Sequence, residues 1–239
     1  MKTNSNKQVA AFDQVLGHCN ALGEKYNPSM ESMNVAALNS LLSSAQSSVM
    51  AVDTAKVKLI QVINERQKAF AAIPGIATRI LNMLIVSEAS SELIADARRY
   101  RDKLRSPRRR KTVRPEASAT TPHVDASRGP VSYMDFESRL STFGTIIKLV
   151  ESTPLYHPNE TDFAIPGLKA LLTSLYGVNK AVHDAHVAVR NARLAKRMAL
   201  YGDRGLYGVS KKVKRYILFV FGATSQQYRM FSSITLKSR

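Results

Sequence analysis

Residues 25–42, "KYNPSMESMNVAALNSLL", return in altered form as "LYHPNETDFAIPGLKALL" at residues 155–172, and whether this is coincidence or repetition decides the fold. A shift of 130 lays Tyr26 on Tyr156, Pro28 on Pro158, Leu38 on Leu168, and Leu41 and Leu42 on Leu171 and Leu172. The same shift carries Ala51 and Val52 onto Ala181 and Val182, Ala55 onto Ala185, Val57 onto Val187 and Gly75 onto Gly205. Upstream, "FDQVL" (12–16) meets "FESRL" (136–140) at a shift of 124; downstream, "NER" (64–66) meets "NAR" (191–193) at 127. Unrelated amphipathic helices share apolar positions only. A common Tyr-x-Pro, a common glycine and a common Phe-led helix before them point to one unit written twice.

Each copy then reads as about four helices, one of them long. The first spans roughly 7–22 and 133–151. The Tyr-x-Pro turn follows, since proline fits a helix's first turn but not its interior. In the long helix, 34–72 and 166–201, apolar residues alternate at spacings of three and four. They are Leu38, Leu41, Ala45, Val52, Ala55, Leu59 and Val62 in one copy, and Leu168, Leu171, Leu175, Val178, Val182, Ala185 and Val189 in the other, the pattern of a bundle seam. "PG" (74–75) and "GDRG" (202–205) are expected to end these helices. Shorter ones should follow over 76–86 and 210–221, then serine-capped ones over 90–104 and 225–233. Residues 105–131 are rich in Pro, Ser, Thr and Arg with almost no large apolar residue, a composition that packs no core. The expectation is an all-α protein: two tandem copies of a helical unit, 1–104 and 132–239, forming a pseudo-two-fold helical bundle with its long helices packed together and joined by a flexible basic linker, 105–131.

At 239 residues and 44% hydrophobic, the chain can bury one large core or two small ones. Trp is absent and aromatics are few, which favours helices over sheet. A single cysteine, Cys19, excludes an intrachain disulfide and a cysteine metal cluster. Asp13, Gln14 and His18 interrupt the N-terminal apolar residues before a signal-type run can form. With no stretch of about 18 apolar residues to span a bilayer, a cytoplasmic protein without membrane insertion is expected.

The formal charge of +17 is the strongest deviation, and it is unevenly spread. Residues 1–104 carry net +3, 105–131 net +5 and 132–239 net +9. Such an excess attracts polyanions, whether nucleic acid, anionic lipid or an acidic partner. The residues expected to make a polyanion contact are Arg108, Arg109, Arg110 and Lys111 of the linker, with Arg190, Arg193, Arg197, Arg204, Lys211, Lys212, Lys214 and Arg215 of the second copy.

Other constellations carry less. "HDAH" (183–186) puts two histidines one helical turn apart, a chelating spacing, but the first copy has Asp53 and Lys56 there and no third ligand is evident. "GDRGLYGVSKKVKR" (202–215) has the glycines of a phosphate cradle but matches no phosphate-binding motif, so an interhelical turn is expected. The Asn and Arg of "NER" and "NAR" read as register-fixing polar residues on apolar helices. Cys19 reads as a small core residue, and Met30, Met33, Met50 and Met83 as core filler. Carboxylates are sparse and, apart from Asp13 and Glu137, unmatched between the copies, so no enzyme, catalytic residue, cofactor or metal is assigned.

"YNP" and "YHP" opening the long helices, "NAR" followed by "LYGDRGL", and the closing "KRYILFVFGATSQQY" resemble a Bacteroidetes-type bacterial family of tandem-duplicated all-helical proteins with no assigned activity. The resemblance covers nearly the whole chain outside the linker, and "FGATSQQY" is its most specific part. It implies a lineage without a mechanism, and a linker that varies. Two functions are then expected. One is a non-enzymatic helical scaffold, with a protein partner or self-association, whose basic residues scatter around the helices. The alternative is sequence-nonspecific DNA or RNA binding through one contiguous basic face.

Overall fold

The alternation of apolar side chains is realised as eight α-helices in the computed structural model, which describes residues 4–105 and 133–237 and gives only the backbone of residues 4 and 133–135. They are α1 (Asn4–Leu22), α2 (Val35–Ala71), α3 (Ile73–Val86), α4 (Ser91–Leu104), α5 (Tyr133–Glu151), α6 (Ile165–Tyr201), α7 (Leu206–Phe221) and α8 (Gln226–Ser233). There is no strand among the described residues, and the protein is all-α. The linker residues Arg108, Arg109, Arg110 and Lys111 lie outside the described residues.

The Tyr-x-Pro turn has the same construction both times. The Tyr26 hydroxyl donates to the Met33 carbonyl at 2.7 Å, and the Tyr156 hydroxyl donates to the Phe163 carbonyl at 3.0 Å, seven residues on in each case. Each ring is buried, so its hydroxyl needs a partner, and the carbonyl of the loop preceding a long helix supplies it. Asn34 then caps α2, its Oδ1 accepting from the Ala37 amide at 2.7 Å. Ser90 and Ser225 cap α4 and α8 in the same way.

α3 and α7 begin at Ile73 and Leu206, earlier than the expected 76 and 210. Pro74 and Gly75 lie in the first turn of α3, where the proline's missing N–H costs nothing. Of the methionines read as core, Met33 is buried and Met83 half-buried, but Met30 and Met50 are exposed.

The chain forms two compact units, and neither is one of the sequence segments 1–104 and 132–239 taken whole. Unit 1 comprises residues 1–60 and 185–239; unit 2 comprises residues 61–184. Both divisions fall inside α2 and α6, each 37 residues long. A helix of that length is about 55 Å from end to end, too long for both its ends to serve one small core. The core of unit 1 joins Phe12, Val15, Leu16 and Cys19 of α1 and Leu38, Leu42 and Ala45 of α2 to Leu206, Val209, Val213 and Ile217 of α7 and Phe231 of α8. In unit 2, Ile73, Ile80 and Leu84 of α3 and Leu104 of α4 pack with Leu140, Phe143, Ile146 and Val150 of α5 and Leu168 and Leu175 of α6. Each core is therefore assembled from the front of one half and the back of the other. The compact units are therefore not the sequence halves 1–104 and 132–239.

The C-terminal segment is pinned to unit 1 by two polar contacts: Gln8 Nε2 donates to the Lys237 carbonyl at 3.0 Å, and Lys214 Nζ donates to the Ile234 carbonyl.

In unit 2 the register between α2, α5 and α6 is set by a polar chain. Arg66 Nη1 donates to Asn179 Oδ1 at 3.2 Å, and Asn179 Nδ2 donates to Glu137 Oε2 at 2.9 Å. The guanidinium lies 3.9 Å over the Phe136 ring, which meets Phe70 edge-on. Both Arg66 and Asn179 are buried. Arg66→Ala should lower stability by about 3 kcal/mol, by removing stacked bulk and stranding the Asn179 carboxamide. The paired replacement Arg66→Met/Asn179→Leu should recover most of it, as read by chemical denaturation. Of the two Asn–Arg pairs expected to fix register, only Arg66 does so; Asn64, Asn191 and Arg193 are exposed.

A residue with positive φ follows both α3 and α7, two residues past Val86 in the first and directly after Phe221 in the second. Glu88 has φ 53°, and Gly222 has φ 79° with ψ 163°, a region open to glycine alone. Gly222→Ala should cost about 1–3 kcal/mol, while Glu88→Gly should leave stability unchanged or raise it by up to ~1 kcal/mol; thermal melts of the two variants test the pair.

Val35–Val86 contains an 18-residue window of mean hydropathy 1.7, long and apolar enough by composition to cross a bilayer. This corrects the expectation that no such stretch exists. A mean tolerates the occasional charge that a search for unbroken apolar residues does not. Within this span, α3 buries Ile73, Ala77, Ile80, Leu81 and Leu84 in unit 2.

Candidate functional site

α6 turns Arg190, Arg193 and Arg197 outward at spacings of three and four, which places them on one helical face. Within unit 1 they line a groove of about 590 Å³ together with Ser5 of α1, Val52 and Lys56 of α2, and Asn191, Leu194, Lys196 and Tyr201 of α6. Five of the ten lining residues are cationic and none is a carboxylate. The Lys56 ammonium meets Asp53 at 3.1 Å, an exposed pair that neutralises little. Arg193 and Arg197, four apart on one helix, repel each other by a few tenths of a kcal/mol, about 0.2–0.5, which a bound anion would relieve. Val52, Leu194 and Tyr201 also line the groove, so its cations border apolar surface, where their field is less damped than over open water.

The other expected polyanion residues do not line this groove. Arg204 is exposed in the turn between α6 and α7, and Lys211, Lys212 and Arg215 are exposed on α7. Lys214 leaves the set on chemical grounds: it is half-buried and bonded to the Ile234 carbonyl, and burial lowers its ammonium's pKa. Lys196 and Lys56 are the groove cations missing from that set. Lys56 escaped because it belongs to the less charged half, and only the crossing of the two halves brings it opposite α6.

The glycine-rich turn resolves as backbone packing. A Cβ at Gly202, Gly205 or Gly208 would lie 2.5–2.8 Å from carbonyl oxygens of Met198, Ala199 or Asp203. Oxygens crowd these glycines, whereas an anion cradle would present amides. His183 and His186 are exposed, and among the described residues no group of three or more His, Cys, Asp and Glu could hold a metal ion. Cys19 is buried in unit 1, and burial pushes its thiol up from an ordinary 9.0 to about 11, the Tyr26 hydroxyl acting weakly in the opposite sense. At neutral pH it is a protonated core side chain, the reverse of an activated nucleophile.

No protein-family model, no curated protein and no solved structure matches this chain.

Proposed function

We propose that this is a non-enzymatic helical binding protein whose unit 1 groove takes the phosphate backbone of a nucleic acid without regard to sequence. The observation that carries this reading is the convergence of Lys56, Arg190, Arg193, Lys196 and Arg197 on one groove with no lining carboxylate. A purely solvated basic surface would scatter those side chains or intersperse them with acids. The arginines can each take two phosphate oxygens, whereas nothing in the groove is arranged to read base edges.

Tandem duplication belongs to the same proposal. It is supported by equal helix lengths, 19 and 37 residues in each half, and by the twice-used tyrosine clamp. On that reading Arg66 and Arg193 descend from one position. Arg66 became a structural pin against Asn179. Val49 stands where Asn179 would recur in unit 1, and Arg193 faces the groove.

A second reading, a scaffold that docks a protein, is favoured by Val187, Leu194 and Met198, large apolar residues exposed at spacings of seven and four on α6. Binding of the intact protein to random-sequence duplex and single-stranded DNA across a salt series decides between them. The nucleic-acid reading expects comparable affinities for unrelated sequences that collapse as salt rises. Weak, salt-insensitive binding would leave the scaffold.

A further inference from the structure

α7 carries a second basic surface that the groove does not use. Its buried side, Leu206, Val209, Ser210, Val213 and Ile217, packs into unit 1. The opposite side is exposed at Lys211, Lys212, Arg215, Leu218 and Phe219, whose spacings of one, four, seven and eight put them on one face. An ordinary surface helix is polar on its outer face. Here the outer face changes along its length from cationic to apolar and ends in Leu218 and Phe219, with Phe219 85% exposed. α7 contains no carboxylate.

The geometry points to this face of α7 as a docking surface for an anionic lipid membrane, with Phe219 and Leu218 entering the acyl boundary and Lys211, Lys212 and Arg215 held at the headgroups. Charge complementarity selects the occupant. A second copy of the chain would bring the same cations against these in a symmetric contact, which like charges oppose. A nucleic acid would use Phe219 for stacking but leaves Leu218 without a role, since aliphatic side chains do not stack on bases. A lipid interface uses all of them at once, the apolar end by burial and the basic residues by attraction to acidic headgroups. The proposal does not rest on the groove. α3 provides an internal control, for it also ends in exposed aliphatics, Ile85 and Val86. Its exposed upstream side chains are only Arg79, whose guanidinium lies 3.9 Å over Phe163, and Asn82.

The test is co-sedimentation of the full chain with phosphatidylcholine vesicles, with and without about 30 mol % phosphatidylserine. The intact protein should sediment with the anionic vesicles only. Phe219→Asp and, separately, Lys211→Gln/Lys212→Gln should each weaken this about tenfold, while Val86→Asp and Arg190→Gln/Arg193→Gln/Arg197→Gln stay within about twofold. Circular dichroism should show both α7 variants folded, because every altered side chain is exposed. No sedimentation with anionic vesicles would overturn the proposal, as would equal loss with Val86→Asp or loss with the groove variant alone. So would a Phe219→Asp effect confined to self-association in sedimentation equilibrium, or to DNA binding, since each assigns the face to another occupant.

Discussion

Residues 1–104 expressed alone are expected to show no cooperative thermal transition, and residues 132–239 alone likewise, whereas mixing the two restores helix content and a single melt. The reason is the crossed assembly of the cores. Unit 1 takes seven of its buried apolar side chains from the far end of the chain: Leu200, Leu206, Val209, Val213, Ile217, Phe231 and Ile234. At about 1.5–3 kcal/mol for each buried side chain, their loss removes roughly 10–20 kcal/mol, as much as the whole net stability of an ordinary domain. Unit 2 loses α5, which supplies Phe136, Leu140, Phe143, Ile146, Ile147 and Val150. Circular dichroism of each fragment and of the mixture checks this, with sedimentation to confirm that each fragment is a monomer. Two monomeric fragments that each melt cooperatively would refute the crossed cores.

Replacing Arg190, Arg193 and Arg197 together with glutamine is expected to lower affinity for random-sequence DNA by two to three orders of magnitude at ~0.1 M salt. A phosphate that no longer meets its arginine keeps nearly one condensed counterion, which costs about eightfold in affinity at that salt, so three such phosphates give roughly 500-fold. Fold stability should change little, because the three side chains are exposed. Removing the charges of Lys211, Lys212 and Arg215 instead should cost about threefold, since only screened attraction acts from outside the groove. Lys214 is unsuitable for such a comparison, because its ammonium holds the Ile234 carbonyl and its replacement would loosen the C-terminal segment.

The helices were legible because their apolar periodicity is strong and their ends are chemically marked. Ser90, Ser225 and the Tyr-x-Pro turns fall where the sequence places them. α3 and α7 start earlier than expected because Pro74 and Gly205 serve the beginning of a helix as well as they would end one. The crossing of the cores was not legible. A repeated apolar pattern is the same whether each half folds on itself or on the other, and only the length of α2 and α6 argues against the first. Charge counting found Arg190, Arg193 and Arg197 but could not separate them from Lys214. That lysine is next to the buried Val213 on α7 and is drawn towards the core. It also passed over Lys56, whose place in the groove depends on tertiary structure alone.

The most direct test of the groove is the slope of log affinity against log salt for random duplex DNA, measured for the intact protein and for the Arg190→Gln/Arg193→Gln/Arg197→Gln variant. The slope of the variant is expected to be shallower by about three, one for each phosphate that an arginine neutralises. An unchanged slope in a variant that folds like the intact chain would contradict the groove's role.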